Sequence, residues 1–277
     1  MKFNKQLNAA HTAIFLCGGS GTRMRGSVAD KILAPLAGTP ALAYSLKAFE
    51  TTGIFSRAVF VFRDEAQKNE IQKIAEKFSP ALAANALFCK GGKERKDSVL
   101  NGLRTAAGAG GNAAGTLAFI HDCARPLIST ENLLKLADVA QREGGAVLAH
   151  RCKNTVKRVP AGTTPETACR TEDLDRARLW ETETPQVFPL EKIFSAYQKI
   201  NDENIFVTDD VAAAEAAGVP VAIVENLSPN PKITVPEDLI FCEAILEKNS
   251  TQTPASRKPF RFLQARNSAK DVPAKIL

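Results

Sequence analysis

Short apolar segments alternate with longer amphipathic segments along the first half of the chain. Residues 13–17 and 58–62 are brief, apolar and rich in β-branched or aromatic side chains, which is typical of strands buried on both faces. Residues 39–50 and 64–78 carry apolar side chains at helical spacing. This alternation predicts an α/β fold with a mostly parallel, doubly wound sheet.

The same alternation continues to about residue 149 and resumes after residue 185. Thr39 is predicted to cap the first helix, with Pro40 as its first residue. Apolar runs predict further strands at 86–88, 116–121, 146–149 and 220–224. Amphipathic segments predict helices from about 96 and over about 129–142, 190–200, 208–217 and 236–248. Together these elements predict one domain over residues 1–248, with a Rossmann-like sheet and helices on both faces.

Residues 150–185 interrupt this alternation. Extended pieces at 155–159 and 166–171 are separated by turns and charges, without helical spacing. The pattern predicts a projecting β-arm over 150–185, inserted in the domain. Exposed strand edges tend to pair with another chain, so we expect the arm to contact a second copy of the protein in a homodimer.

The distribution of charge argues against nucleic acid as the ligand of the folded part. The chain has a net charge of +6, but residues 249–277 contain six lysines and arginines and one aspartate. The rest of the chain is therefore nearly neutral and has no basic stripe with interleaved aromatic residues. Residues 249–277 are predicted to be a basic, disordered tail, which leaves contact with RNA or an acidic surface open for that segment alone.

Cysteine usage and hydropathy predict a reduced, cytoplasmic protein. The six cysteines form no CxxC pair and no metal-finger spacing, and four of them lie in or beside apolar runs. Such usage is typical of the reducing cytosol. The N-terminus has no apolar signal region, and no stretch has the roughly 20 apolar residues that span a membrane.

A glycine-rich turn directly after the first strand is the first candidate for chemistry. Residues 18–21 read GGSG, and Arg23, Arg25 and Lys31 follow closely. Glycines let the backbone turn sharply and expose N–H groups to phosphate oxygens. The dinucleotide fingerprint fails because Met24 stands at the third glycine, and a Walker loop fails because no Gly-Lys-Ser/Thr is present. The turn therefore predicts a polyphosphate site of another kind, unless it is only a strand–helix turn with solvated cations.

Two more polar sites follow predicted strands. Gly91 and Gly92 come after the third strand, and Asp122 ends the fourth. Ligands of parallel sheets bind beyond the carboxyl ends of the strands, so we expect these sites to share a pocket with the first glycine loop. Asp122 could hold Mg²⁺ together with phosphate oxygens, with Mn²⁺ as the alternative, or it could cap a helix or pair with Arg125.

Several motifs carry a resemblance to known proteins. The sequence GGSGTRM followed by Lys31 resembles the signature of sugar-phosphate nucleotidyltransferases. Over about residues 12–246 the chain resembles the 2-C-methyl-D-erythritol 4-phosphate cytidylyltransferase family, which uses CTP in the non-mevalonate route to isoprenoids. The resemblance is carried, in order, by CGGSGTRM with Lys31, GGKERKDSVLNGL, HDCARPLI, KNTVKRV, DRARLWETETPQVF, VTDD and NPKITVPEDL.

The resemblance implies a reaction and assigns residues to it. A phosphate oxygen of a polyol phosphate attacks the α-phosphorus of CTP and releases pyrophosphate, with Mg²⁺ as cofactor. The catalytic residues it implies are Arg23, Lys31 and Lys232. The nucleotide-binding residues are Cys17, Gly18, Gly19, Gly21, Gly91, Gly92, Arg95, Ser98 and Asp122, the last also as metal ligand. The residues that bind the polyol phosphate are Thr155, Lys157, Arg176 and Thr208.

The chain departs from the family pattern at several positions. Its loop between Met24 and Lys31 is one residue longer, and Cys123 replaces the usual alanine. Asn154 replaces aspartate, Glu183 replaces glutamine, and Pro229-Asn230-Pro231-Lys232 replaces Asp-Asn-Ile-Lys. A ribitol 5-phosphate or other polyol-phosphate cytidylyltransferase is therefore the alternative within the class, although HDCARPLI resembles the erythritol enzymes better. A non-catalytic nucleotide-binding regulator is the alternative outside it.

Overall fold

The computed structural model describes residues 11–19, 24, 26, 28–109 and 115–251. The strands are His11–Leu16 (β1), Pro35–Leu36 (β2), Thr39–Pro40 (β3), Phe55–Phe62 (β4), Ala86–Lys90 (β5), Leu117–Asp122 (β6), Ala146–Arg151 (β7), Lys157–Arg158 (β8), Glu172–Asp173 (β9), Trp180–Pro189 (β10) and Ala222–Glu225 (β11). The helices are Ala41–Thr52 (α1), Glu65–Phe78 (α2), Pro80–Ala84 (α3), Arg95–Gly108 (α4), Thr130–Glu143 (α5), Leu190–Asp202 (α6), Asp210–Ala216 (α7) and Pro236–Thr251 (α8).

The central sheet confirms the predicted doubly wound α/β fold. Its strand order is β11-β7-β10-β6-β1-β4-β5, and every pairing is parallel except the two that β10 makes with β6 and β7. Successive strand residues face opposite sides of a sheet. Ala13 and Phe15 accordingly pack in one core with buried residues of α1, α2 and α5, whereas Ile14 packs in a second core with α4 and α6. Helices therefore cover both faces.

Two local predictions at the start of α1 and in the arm were wrong. Thr39 and Pro40 form β3, which pairs with β2, and α1 begins only at Ala41. The arm is shorter than predicted at its C-terminal end, because β10 starts at Trp180 and lies inside the central sheet. Residues 166–171 form turns and irregular backbone; the strand in that part of the arm is β9, paired with β8.

The buried polar side chains of β10 gave no hydrophobic strand pattern in the sequence. Glu183, Thr184 and Gln186 are all buried, which a run of polar residues does not suggest. Each has hydrogen-bond partners inside the protein; for example, Gln186 Nε2 donates to Asp209 and Gln186 Oε1 accepts from the Val211 N–H. Buried polar groups are tolerated when they are paired in this way.

The remaining predicted boundaries are close to the observed ones. Nearly every residue between 153 and 179 is exposed, as expected for a projecting arm. Helix α8 extends to Thr251, into the segment predicted as tail, and residues 252–277 lie outside the described residues. Among the residues that the structure describes, none of the helices combines the length and apolarity needed to cross a membrane.

Two buried histidines make the stability of this fold depend on pH. Burial lowers the pKa of His11 to about 4 and that of His121 to about 3, the latter despite the nearby Asp122 carboxylate. Both rings are therefore neutral in the folded state, whereas in the unfolded chain a histidine titrates near pH 6.5. Below that pH the unfolded state binds more protons, so the free energy of unfolding falls as the pH falls.

We expect the two histidines together to remove about 4 kcal/mol of stability between pH 7 and pH 5. Urea unfolding at several pH values measures this. The variant His11→Phe keeps an aromatic ring beside Phe119, whose centroid lies 5.8 Å from that of His11, but it cannot titrate. It should lose about half of this dependence. An unchanged dependence would show that His11 does not contribute.

Candidate active site

A cavity of about 580 Å³ lies at the carboxyl ends of β1, β5 and β6. In a parallel sheet this edge is where ligands bind. The cavity brings together residues from six separate stretches of the chain. Its lining includes the predicted nucleotide-binding residues Cys17, Gly18, Gly19, Gly91, Gly92, Arg95, Ser98 and Asp122, and the predicted catalytic residues Lys31 and Lys232.

Other predicted site residues lie elsewhere. Gly21 and Arg23 are outside the described residues. Four residues predicted to bind the polyol phosphate are exposed and do not line this cavity: Thr155, Lys157, Arg176 and Thr208. Within the arm, Lys157 pairs with Asp173 at 2.5 Å, and Arg176 Nη1 donates to the Lys153 carbonyl at 2.9 Å. The arm therefore holds these two cations away from the cavity of its own chain.

Asp122 is the central anion of the cavity. It ends β6, where its backbone N–H donates to the Thr184 hydroxyl. Its Oδ2 accepts from Lys232 Nζ at 2.5 Å and its Oδ1 from Arg95 Nε at 3.3 Å. Burial raises the pKa of this carboxyl, but Arg95 and Lys232 outweigh burial and hold the pKa well below its usual range. Asp122 is therefore ionised at neutral pH.

Neither alternative role considered for Asp122 matches these contacts. The Arg125 guanidinium instead donates to the Asn230 carbonyl at 2.7 Å. The N-cap of the following helix, α5, is Ser129, whose hydroxyl accepts from the Asn132 N–H. The carboxylate of Asp122 is thus directed to the cations of the cavity.

Arg95 is fixed by a carboxylate that the sequence analysis missed. Its two terminal nitrogens donate to the two oxygens of Asp210 at 2.9 and 2.8 Å. Asp210 is fully buried and also accepts from the Tyr197 hydroxyl at 2.5 Å. Bidentate pairing fixes the plane of a guanidinium, so Asp210 orients Arg95 toward Asp122. The VTDD motif was the available signal, but only its Thr208 was assigned a role.

Lys31, in the loop after β1, contacts the segment that precedes α8. Its Nζ donates to the Ile233 carbonyl at 2.9 Å, next to Lys232 in the chain. The Ile233 N–H in turn donates to the Ala124 carbonyl at 2.7 Å, just after Asp122. The two predicted catalytic lysines and Asp122 are therefore tied into one group by backbone contacts.

The longer loop before Lys31 has its own anchor. Asp30 Oδ2 accepts from Gln67 Nε2 at 2.6 Å and from Arg63 Nη1 at 3.2 Å. Gln67 Nε2 also donates to the Cys17 carbonyl at 3.0 Å. Asp30 and Arg63 both line the cavity, although neither was singled out from the sequence. Asp30, directly before Lys31, is thus held at the rim of the cavity.

The Gly91–Gly92 turn is closed by Ser98. The Gly91 N–H donates to the Phe62 carbonyl at 2.7 Å, and the Gly92 N–H donates to the Ser98 hydroxyl at 3.0 Å. A Cβ atom at Gly92 would lie 2.2 Å from the Cβ of Asp97 and 3.1 Å from its carbonyl carbon. The first turn of α4 therefore packs against this turn too closely for any other residue.

The variant Gly92→Ala should disturb this part of the cavity. We expect the forced shift of α4 to cost about 1–3 kcal/mol of stability. The dissociation constant for CTP should rise about tenfold, which corresponds to 1.4 kcal/mol. Urea unfolding and calorimetric titration measure the two effects. Gly108→Ala, at the far end of α4 with nothing within 4 Å of its Cβ, is the matched control. Equal behaviour of both variants would contradict the prediction.

A second cavity, of about 690 Å³, adjoins the first at Lys232, which lines both. Its lining also includes Arg125, Pro229 and Pro231. Glu183 is buried there: its Oε1 lies 2.8 Å from His150 Nδ1, and its Oε2 accepts from the side-chain amides of Asn226 and Asn230, both at 2.9 Å. Both oxygens of Glu183, which stands where the family pattern has glutamine, therefore have hydrogen-bond partners.

Comparison with known proteins supports one family. The family model described as 2-C-methyl-D-erythritol 4-phosphate cytidylyltransferase matches residues 12–248. Proteins of that name from Geobacillus thermodenitrificans and Halalkalibacterium halodurans are 34% and 35% identical over 236 residues, which is 85% of this chain and 96% of each relative. A solved 4-diphosphocytidyl-2C-methyl-D-erythritol synthase from Anaerococcus prevotii has the same fold, with a TM-score of 0.71 and 24% identity over 87% of this chain and 99% of that one. This chain therefore belongs to the 2-C-methyl-D-erythritol 4-phosphate cytidylyltransferase family.

Proposed function

We propose that the chain couples CTP with 2-C-methyl-D-erythritol 4-phosphate, giving 4-diphosphocytidyl-2-C-methyl-D-erythritol and pyrophosphate. One observation supports this assignment above others. Two cavities of about 580 and 690 Å³ adjoin at Lys232, so one cation would face both substrates of a two-substrate reaction. The first cavity would hold CTP, and the second would hold the polyol phosphate.

Catalysis would consist of positioning and charge neutralisation. The phosphate monoester is already anionic near neutral pH, so its oxygen can attack the α-phosphorus without a general base. Lys31 and Lys232 would stabilise the charge that develops on the phosphoryl oxygens, and Arg95 would help to bind the triphosphate. Arg23, from the glycine loop, is expected to assist them. Gly91 and Gly92 would allow the cytosine base to approach the backbone closely.

Asp122 fits the carboxylate ligand of a divalent cation. It is ionised, and each of its oxygens already faces a cationic nitrogen. Within the described ranges no group of three or more His, Cys, Asp or Glu side chains could hold a metal. Mg²⁺ binds one or two carboxylates together with phosphate oxygens and water, so the ion would arrive with the nucleotide; Mn²⁺ suits the same donors. When bound, it would supply positive charge beside the triphosphate.

The arm supports a homodimer in which one protomer completes the site of the other. Thr155, Lys157 and Arg176 are exposed on the arm and line neither cavity. We propose that they bind the polyol phosphate at the partner's second cavity. Thr208 is exposed and lines neither cavity, and it is retained as a further candidate for the same substrate. We also propose a cytoplasmic localisation, because the cysteine usage is typical of a reducing compartment.

Subunit complementation tests this arrangement. Arg176→Ala and Lys232→Ala should each be inactive alone. After coexpression, half of the dimers are mixed, and each mixed dimer has one intact site, so about a quarter of the activity should return if the arm acts across the interface. Failure to recover activity, with mixed dimers demonstrated by mass spectrometry, would place the arm against its own protomer.

Pyrophosphate release with CTP and Mg²⁺ tests the reaction itself. Methylerythritol phosphate and ribitol 5-phosphate are offered in parallel, with Lys31→Ala as the inactive control. Turnover with methylerythritol phosphate alone is the expected result. Turnover with ribitol 5-phosphate alone would keep the chemistry and change the substrate, and CTP binding without turnover would favour a regulator. The comparisons favour neither of these alternatives.

A further inference from the structure

Two cysteine side chains meet beneath the nucleotide cavity. Cys17 follows β1 and Cys123 follows β6; the two strands are neighbours, with Leu16 paired to Asp122. The Cys123 N–H donates to the Leu16 carbonyl at 3.2 Å, which continues the ladder by one step. The two Sγ atoms are 3.3 Å apart, and the residues are 3% and 0% exposed. Both are free thiols.

This geometry is suited to a covalent bond between the two sulfurs. Neighbouring strands lie about 4.8 Å apart, which is within the range of about 4.4–6.8 Å that Cα atoms span in disulfides. The sulfurs would have to approach by roughly 1.3 Å to reach the S–S bond length of about 2.05 Å. Side-chain rotation and a small shift of the loops after the two strands can supply this movement, and neither strand has to leave the sheet.

The two cysteines differ in their access to the cavity. Cys17 lines the 580 Å³ cavity, whereas Cys123 does not line it and lies fully buried. A small oxidant that enters the cavity therefore reaches Cys17 first, and Cys123 is placed to react with the product. We propose that Cys17 and Cys123 are a modification site, which a peroxide converts to a reversible disulfide.

The reaction is balanced in two steps. The Cys17 sulfur attacks the hydroxyl oxygen of the peroxide, the O–O bond breaks, and Cys17 becomes a sulfenic acid; the second oxygen leaves as hydroxide or alkoxide and takes the proton of the Cys17 thiol, giving water or an alcohol. The Cys123 sulfur then attacks the Cys17 sulfur, the S–O bond breaks, and the hydroxide leaves as water with the proton of the Cys123 thiol. The two cysteines lose two electrons in total, and the peroxide gains them.

The disulfide opposes nucleotide binding, an effect that rests on the proposed function of the cavity. Gly18 and Asp122, next to the two cysteines in the chain, both line the cavity. Drawing the sulfurs together moves the glycine loop relative to Asp122. Conversely, bound CTP covers Cys17. By linkage, the two effects are reciprocal: CTP protects the thiols, and the disulfide weakens CTP binding.

The test uses the full chain, hydrogen peroxide and peptide mapping by mass spectrometry without reduction. We expect a peptide that links Cys17 to Cys123, and its loss when dithiothreitol is added. CTP at ten times its dissociation constant should slow the cross-link about tenfold, because about one molecule in eleven is then free. Cys123→Ala should keep pyrophosphate release before peroxide is added and form no linked peptide, and its Cys17 should instead carry the sulfenic acid or a higher oxidation product. Cys242→Ala removes another buried cysteine and should behave as the unmodified chain.

Each outcome is decisive because the cross-link is detected by mass, independently of turnover. If no linked peptide forms while circular dichroism shows an intact fold, the modification site is wrong. If it forms equally fast with and without CTP, while calorimetry shows that CTP binds, the antagonism is wrong. A chain that forms the link but neither binds CTP nor releases pyrophosphate would contradict the proposed function and leave the disulfide standing.

Discussion

Replacing Lys232 with methionine is expected to lower kcat by about 10²–10³-fold, the usual effect of removing one group that stabilises charge in a transition state. Lys232 lines both cavities and donates to Asp122 at 2.5 Å, so its ammonium group is where a CTP phosphate and an acceptor phosphate would meet. Its contribution would be largest when charge moves between the two. Binding of CTP alone should weaken much less, because Arg95 and Lys31 remain.

The measurement separates kcat from binding. Pyrophosphate release gives kcat and KM, and calorimetric titration gives the dissociation constant for CTP. Some loss of stability is expected as well, because the Asp122 side chain is only 11% exposed and loses one of its two cationic partners, so both measurements are made at a temperature where the variant remains folded. Lys192→Met makes the same change of charge on the exposed side of α6 and should leave all three quantities unchanged. A kcat of Lys232→Met within a few-fold of the Lys192 variant would remove Lys232 from the catalytic group.

Local patterns predicted the parts of the fold that depend on local burial. β1, β6 and residues 58–62 of β4 are short, mostly apolar runs that are almost entirely buried, so hydropathy alone identifies them. β10 is buried as well, but its polar side chains are satisfied by partners distant in sequence, such as Asp209 and Asn230. Such pairing leaves no local pattern, so the prediction placed residues 180–185 of this strand in the arm.

The candidate site likewise has one part that the sequence predicted and another part that it did not. The glycine turns and Asp122 follow strands, so the rule that ligands bind at the carboxyl ends of parallel strands predicted a shared cavity. This rule does not identify the groups that hold the site residues in place. Asp210 lies 115 residues after Arg95, and Ile233 lies 202 residues after Lys31. Only the folded topology brings these pairs together.

Asp210→Asn is expected to cause the largest loss of stability among the substitutions considered. Asp210 is fully buried, and both of its oxygens accept from Arg95. Removing one partner of a buried ion pair leaves the other charge uncompensated, which costs about 3–5 kcal/mol. The Arg95 side chain is 32% exposed, so water can reach it and the lower end of that range applies.

The same change should weaken nucleotide binding. Without the bidentate pairing, the guanidinium of Arg95 is no longer fixed beside Asp122, although each could still contact the other. We expect the dissociation constant for CTP to rise about tenfold or more, equivalent to at least 1.4 kcal/mol. Urea unfolding and calorimetric titration at a temperature where the variant remains folded measure the two effects.

Tyr197→Phe distinguishes orientation of Arg95 from general loosening around Asp210. The Tyr197 hydroxyl donates to the same carboxylate, and burial together with Asp210 raises the pKa of this phenol well above its usual range. Phenylalanine removes this one hydrogen bond, at a cost of about 1–2 kcal/mol, and keeps the pairing of Asp210 with Arg95. CTP affinity should therefore be retained in Tyr197→Phe and lost in Asp210→Asn. Equal affinities in the two variants would mean that the carboxylate supports the core only, and that Arg95 reaches the nucleotide without being positioned by it.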